Sequence, residues 1–305
     1  MTVFVTGATG FVGRVVLQQL SGAGHKACIL ARDPERAAAG LREIAQNTEV
    51  RGGNALNPDS LHGIMEGCEA IIHLVGIISE VGEQTFENVH LRATQNLLAE
   101  AKRAGIKRWI QMSALGTRAK AVSRYHQTKW LAEEAVRNSG LDWTILRPSV
   151  IYGPEDHFVN LFANMARWSP VVPVIGDGKG LLQPVSVKNV ARSFVRALTE
   201  PRSIGKTLEL CGLERLTHIA LLDAILAAMG KRRLKLRIPM AIARLQAAAL
   251  ETVFPLLLCK AAPLSRDQLL MLQEDNVGDA TTAVELFQLD AHRFQEEIEH
   301  YLKTS

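Results

Sequence analysis

Val3-Phe4-Val5-Thr6-Gly7-Ala8-Thr9-Gly10-Phe11-Val12-Gly13 decides the fold of this 305-residue chain. The apolar triplet reads as a buried strand, the glycines as a turn, and the spacing from Phe11 to Leu20 as a helix. Glycine at the first place permits a tight turn, at the second close approach of backbone to an anion, and at the third close packing of helix on strand. The first N–H groups of such a helix have no intrahelical partner and sit at the positive end of its dipole. Strand, turn and helix in this order make Gly7, Thr9, Gly10, Phe11, Val12 and Gly13 a cradle for a dinucleotide pyrophosphate. A left-handed turn with a packing glycine is the plainer alternative.

The reading extends outward from that turn. Cys28-Ile29-Leu30 is a second strand, Pro34 to Ala45 a helix, Glu49-Val50 part of a third strand and Ala70 to Val75 a fourth. A long helix is expected over Phe86 to Ala104, a fifth strand over Trp109 to Met112, a helix over Ser123 to Asn138, and a sixth strand over Trp143 to Leu146. Short apolar runs alternating with helical periods predict an α/β fold, a doubly wound parallel sheet of the Rossmann class. After Arg147-Pro148 prolines and glycines cluster as far as Pro184, and the rhythm changes. Residues 1–150 are therefore expected to form the dinucleotide-binding domain. Residues 151–305 are expected to form a smaller C-terminal α/β lobe packed on it, for substrate or partner, with some segments returning to the sheet.

A net charge of +4 with only 5% aromatic residues gives neither the basic stripe nor the stacking platform of a nucleic-acid-binding protein. Cys28, Cys68, Cys211 and Cys259 lack metal-ligand or redox spacing. They read as buried free thiols in a reducing, cytoplasmic compartment. No histidine–carboxylate cluster implies a metal, and His73 and His126 read as structural. The chain opens on a strand pattern rather than a signal peptide. Ile238 to Cys259, the most apolar late stretch, contains Arg244, Glu251 and Pro255, so it is no transmembrane span.

Tyr125 and Lys129 stand four apart on the helix after the fifth strand and so share a face. A phenol with a pKa near 10 is a poor acid–base group at neutral pH, and an adjacent ammonium stabilises its phenolate. The lysine can also hold a nicotinamide ribose. Ser113 lies at the carboxyl end of the fifth strand, where open α/β sheets bind ligands, and can orient a substrate carbonyl. At the end of the second strand an NAD-binding chain would carry an acidic residue for the ribose hydroxyls. Here Ala31 takes that place and Arg32 follows, which favours NADP(H), since a guanidinium can clasp a 2′-phosphate. NAD(H) stays open, because a shift of one residue would put Asp33 on the ribose.

Val5-Thr6-Gly7-Ala8-Thr9-Gly10-Phe11-Val12-Gly13, Asn88-Val89-His90 to Leu98, Ser113, Tyr125-x-x-x-Lys129, Leu146-Arg147-Pro148 and Ile151-Tyr152-Gly153-Pro154 follow one another in an order that resembles the extended and atypical short-chain dehydrogenases/reductases. Ser113-Ala114-Leu115-Gly116 and Gly176-Asp177-Gly178 look like the subgroup of the nucleotide-binding accessory subunit of respiratory complex I and its bacterial relatives. The resemblance implies a cofactor site that also takes in Arg14, Leu74, Val75, Gly76, Asn88 and Pro148; Asn88 either supports the lysine through water or is simply a polar residue at the N-terminal side of its helix. It implies a small carbonyl or alcohol substrate. It equally admits a cofactor-holding accessory or assembly protein without turnover, associated with a respiratory complex.

Lys231 to Arg237 places five cations in seven positions. Arg233, Lys235 and Arg237 alternate with Leu234, Leu236 and Ile238, which predicts a half-buried strand with a solvated basic face. The next helix carries Ile242, Leu245, Ala249 and Val253 on one stripe, read as core. The alternative is a pair of elements that docks at the inner face of an anionic membrane or on a partner.

Overall fold

The computed structural model describes residues 1–42, 44, 48–258 and 261–303. Its centre is a seven-stranded sheet built from β1 (Thr2–Thr6), β2 (Lys26–Ala31), β3 (Thr48–Gly52), β4 (Ala70–His73), β5 (Arg108–Met112), β6 (Asp142–Pro148) and the strand Lys206–Leu210. The order is Lys206–Leu210, β6, β5, β4, β1, β2, β3, with every pair parallel. Strand order reverses between β1 and β4, so a crevice opens there at the carboxyl ends of the strands.

The alternation of side chains along each strand feeds two cores. Val3, Val5, Ile29, Ile72, Ile110 and Leu146 face one, with α1 (Phe11–Gly22), α2 (Pro34–Leu41) and the helix Val187–Ala197 packed over them. Phe4, Cys28, Ile71, Trp109 and Ile145 face the other, under α3 (Ala93–Arg103) and α4 (Arg124–Arg137). The second core is closed by Leu61, Ile64 and Met65. Cys28, Cys68 and Cys211 are buried free thiols. The fourth cysteine, Cys259, and the end expected for the second helix at Ala45 lie outside the described residues.

The helix expected over Phe86 to Ala104 is in two parts. Glu87–Arg92 is wound as a π-helix, and α3 begins only at Ala93. Such a widened turn slips the face that each side chain presents and is found at functional sites.

The last third of the chain departs most from expectation. Leu234–Ile238 is a strand, paired in parallel with Val171–Ile175, whose Val172 and Val174 are buried. Leu234 and Leu236, expected on its buried side, are exposed. The helix Met240–Leu258 corrects the reading of its stripe as core: Ile242, Leu245 and Val253 are exposed. What it buries are Ala243 and Ala247, against Leu269 of the short helix Arg266–Leu272. Hydropathy marked the stripe correctly, but among the described residues no other element covers it.

Candidate active site

The glycine turn forms as the sequence requires. Gly7 adopts φ +72°, and a Cβ there would lie 3.1–3.2 Å from the backbone of Leu74 and Val75. At Gly13 a Cβ would lie 2.3 Å from the Gly7 carbonyl oxygen, so α1 could not rest on the turn with any side chain at that position. Gly10 caps α1 with extended backbone and no side-chain hydrogen bond, and the first turn holds no acidic residue. The leading N–H groups of α1 are therefore free for an anion.

A cleft of about 820 Å³ opens over this turn. Its wall takes in Gly7 and Thr9–Arg14, crosses the end of β2 at Ala31–Asp33, and continues through Leu74–Ile77 to Met112. Size, turn and uncapped helix fit a dinucleotide. At the β2 end, Asp33 accepts the backbone N–H of Arg36 at 3.0 Å and so caps α2, while Arg32 is exposed. Arg36 lines the cleft beside Arg32, a cation that reading β2 alone had missed; the helical turn from Asp33 brings it round. Arg14 lines the cleft as well and pairs with Glu155 at 3.5 Å.

Behind the far end of the cleft lies a buried polar cluster on α4. Ser123 caps α4 by accepting the His126 N–H, and Asp267 accepts the N–H groups of Arg124 and Tyr125 at 2.7 and 3.0 Å. That carboxylate, 142 residues away in sequence, ties the start of α4 to the C-terminal region. Lys129 is buried; its Nζ donates to the Met112 carbonyl at 3.3 Å and lies 2.9 Å from where a Cβ on Gly76 would stand. Burial lowers its ammonium to about 8. Tyr125 is packed edge-on by His90, His126 and Phe86, and burial, aided by Asp267, raises its phenol to about 12. Its hydroxyl has no protein hydrogen-bond partner among the described residues.

Ser113 is buried at the end of β5, and its hydroxyl donates to Thr117 Oγ1 at 3.4 Å. Thr117 in turn meets His126 Nδ1 at 3.2 Å. Of the two roles expected for Asn88, the contacts match the polar residue at the helix start: its amide donates to the Glu83 carbonyl. The residue beside Lys129 is His90, whose ring bonds Thr128 Oγ1 at 2.9 Å and the Ile77 carbonyl at 3.1 Å, linking α4 to the cleft wall. Burial and then Lys129 push His90 down to about 2, so the ring is neutral. Local spacing in the sequence does not mark it; one turn on, the Thr94 hydroxyl bonds the His90 carbonyl. Pro148 is buried at the end of β6, where its carbonyl accepts the Leu115 N–H, and the cleft wall forms without it. Arg147 is held by the fully buried Glu133 of α4 at 2.6–2.8 Å. His73 bridges Thr6 and Thr94 at 2.6 and 3.1 Å, a structural tie between β1 and α3.

A family profile described as NAD(P)H-binding matches residues 7–201. The mitochondrial NADH dehydrogenase [ubiquinone] 1 alpha subcomplex subunit 9 of Arabidopsis thaliana is 32% identical over 248 residues, covering 80% of this chain and 62% of the relative. The ceramide reductase of Caulobacter vibrioides is 33% identical over 201 residues, covering 65% of this chain and 61% of the relative. The chain thus spans about six-tenths of the length of these relatives. Among solved structures, a UDP-glucose 4-epimerase from Thermotoga maritima superposes with a TM-score of 0.76 at 18% identity, covering 99% of this chain and 98% of that one, a likeness of fold.

Proposed function

This chain belongs to the NAD(P)H-binding family, with the fold and motifs of an extended short-chain dehydrogenase/reductase, and from that premise we propose that it is an NADP(H)-dependent carbonyl/alcohol oxidoreductase. The observation that carries the proposal is the placing of Tyr125 and Lys129 on one buried face of α4, with the ammonium against Gly76 of the cofactor cleft. When bound, the nicotinamide would exchange the hydride with substrate. The free N–H groups of α1 hold the pyrophosphate, and Arg32 with Arg36 meets a 2′-phosphate. Lys129 holds the nicotinamide ribose and, one turn along α4 from Tyr125, supplies the positive charge that would steady a phenolate formed during turnover. Tyr125, whose hydroxyl has no protein partner among the described residues, gives its proton to the carbonyl oxygen in reduction and, as phenolate, takes the alcohol's proton in oxidation. Ser113 turns its hydroxyl from Thr117 to orient that oxygen.

Tyr125→Phe tests this, since the ring still packs and the pyrophosphate turn is remote. Turnover with a panel of ketones, aldehydes and lipid carbonyls should fall by roughly 10² to 10⁴ while NADPH affinity is kept. Full activity in the variant would remove Tyr125 from the chemistry. The second reading, a cofactor-holding accessory or assembly protein of a respiratory complex, is favoured by the 32% identity to the plant subunit. Tight NADPH retention without oxidation by any panel member, together with co-purification with a membrane complex, would select it. The relative named ceramide reductase makes lipid carbonyls the first substrates to try.

A further inference from the structure

The helix Met240–Leu258 buries Ala243 and Ala247 and turns Ile242, Leu245, Val253 and Leu256 outward. Ala243 and Ala247 are fully buried, whereas Leu245 is 74% and Leu256 77% exposed, with Ile242 and Val253 exposed beside them. At about 100° per residue these four fall within roughly 80° of arc, a stripe about 20 Å long with Ala249 in its middle. The charged residues of the helix lie off the stripe and are engaged, Glu251 by Arg266 and Arg244 by Gln273. The hydroxyl of Thr252, at its edge, is bonded to the Ala248 carbonyl.

The strand Leu234–Ile238 leads directly into this helix and adds exposed Leu234 and Leu236. Lys235 of that strand is neutralised by Asp223, but among the described residues no carboxylate pairs with Lys231, Arg232, Arg233 or Arg237. Arg233 donates to the Ala166 carbonyl, and the Leu234 N–H to the Pro170 carbonyl, which brings the basic run beside Trp168. That tryptophan is 89% exposed.

We infer that this surface seats the protein on an anionic lipid bilayer. An aliphatic stripe, a strand of cations without carboxylate partners leading into it and an exposed tryptophan next to that strand are the parts of an interfacial anchor: chains enter the acyl boundary, cations meet phosphates, and the indole rests at headgroup level. A protein partner would need about one hydrogen bond per 100–200 Å², and this stripe presents almost none. Among the described residues no helix is long and apolar enough to cross a membrane, so the contact is peripheral. The same helix, through Glu251 and Pro255, walls a cavity of about 440 Å³ next to Phe86 and Asp267, the neighbours of Tyr125.

Flotation of the full chain with vesicles tests the inference without any turnover. Phosphatidylcholine alone is compared with mixtures about one-third phosphatidylglycerol. The native chain should float with the anionic vesicles and be released by high salt. Leu245→Glu with Leu256→Glu, and separately Arg232→Glu with Arg237→Glu, should each lower the partition at least about tenfold. The milder pair Leu245→Ser with Leu256→Ser guards against misfolding, checked by circular dichroism. A blue shift of emission on vesicle addition should vanish in Trp168→Phe. Absence of flotation with either vesicle, or flotation unaltered in the folded variants, overturns the inference. So does sedimentation equilibrium showing a dimer that Leu245→Glu dissociates, for then a second copy covers the stripe.

Discussion

β1 and the helix Met240–Leu258 both carry large apolar residues and meet opposite fates. Val3, Phe4 and Val5 are fully buried because the sheet is covered on both faces, by α1 and the helix Val187–Ala197 on one and by α3 and α4 on the other. The late helix rests on its neighbour through two alanines and leaves Leu245 and Leu256 in the open. The difference teaches that apolar periodicity specifies an element and its apolar face, while the covering of that face depends on what else the chain brings there. An uncovered face is then a candidate contact rather than a core.

The sharpest way to break this contrast is a pair of truncations read by chemical denaturation. Phe4→Ala should cost about 3–5 kcal/mol, as for a large side chain lost from a closed core, while Leu245→Ala should stay within about 0.5 kcal/mol. Comparable losses would mean that the late helix is covered after all.

The closed half should also be acid-sensitive. Burial lowers His73 to about 3, His90 to about 2 and His126 to about 4, from an ordinary value of 6.5. The unfolded chain therefore binds protons below pH 6.5 that the folded chain refuses, and stability falls as pH falls from 6.5 towards 4. Each histidine should contribute about 2 kcal/mol of loss between pH 7 and 5. His126→Gln should remove its share of that slope, whatever it does to stability at pH 7. An unchanged slope would place a charged imidazole in the site.

Arg32 sharpens the cofactor half. Arg32→Ala should weaken NADPH by about 2 kcal/mol, roughly thirtyfold by calorimetry, and leave NADH nearly unaffected. Equal losses would return Asp33, here capping α2, to the ribose. The smallest effect belongs to the tie between the two regions. Asp267→Ala removes the acceptor for two N–H groups at the start of α4 and should cost about 1 kcal/mol in a thermal melt. No change would mean that water replaces the carboxylate without loss.

The sequence by itself determined the glycine turn, the succession of strands in the sheet and the shared face of Tyr125 and Lys129, because each rests on contacts local in the chain: a turn, a period of two, a spacing of four. It also marked the stripe of the late helix. Only the tertiary structure decided which faces are covered, and it decided the site's surroundings. A π-helical turn sets His90 rather than Asn88 beside the lysine, Arg36 rotates to join Arg32, and Asp267 arrives from 142 residues away to cap the helix of Tyr125. These depend on packing between distant segments, for which a single chain's local spacing carries no signal, since burial is a property of what arrives from elsewhere and not of the residue that is buried.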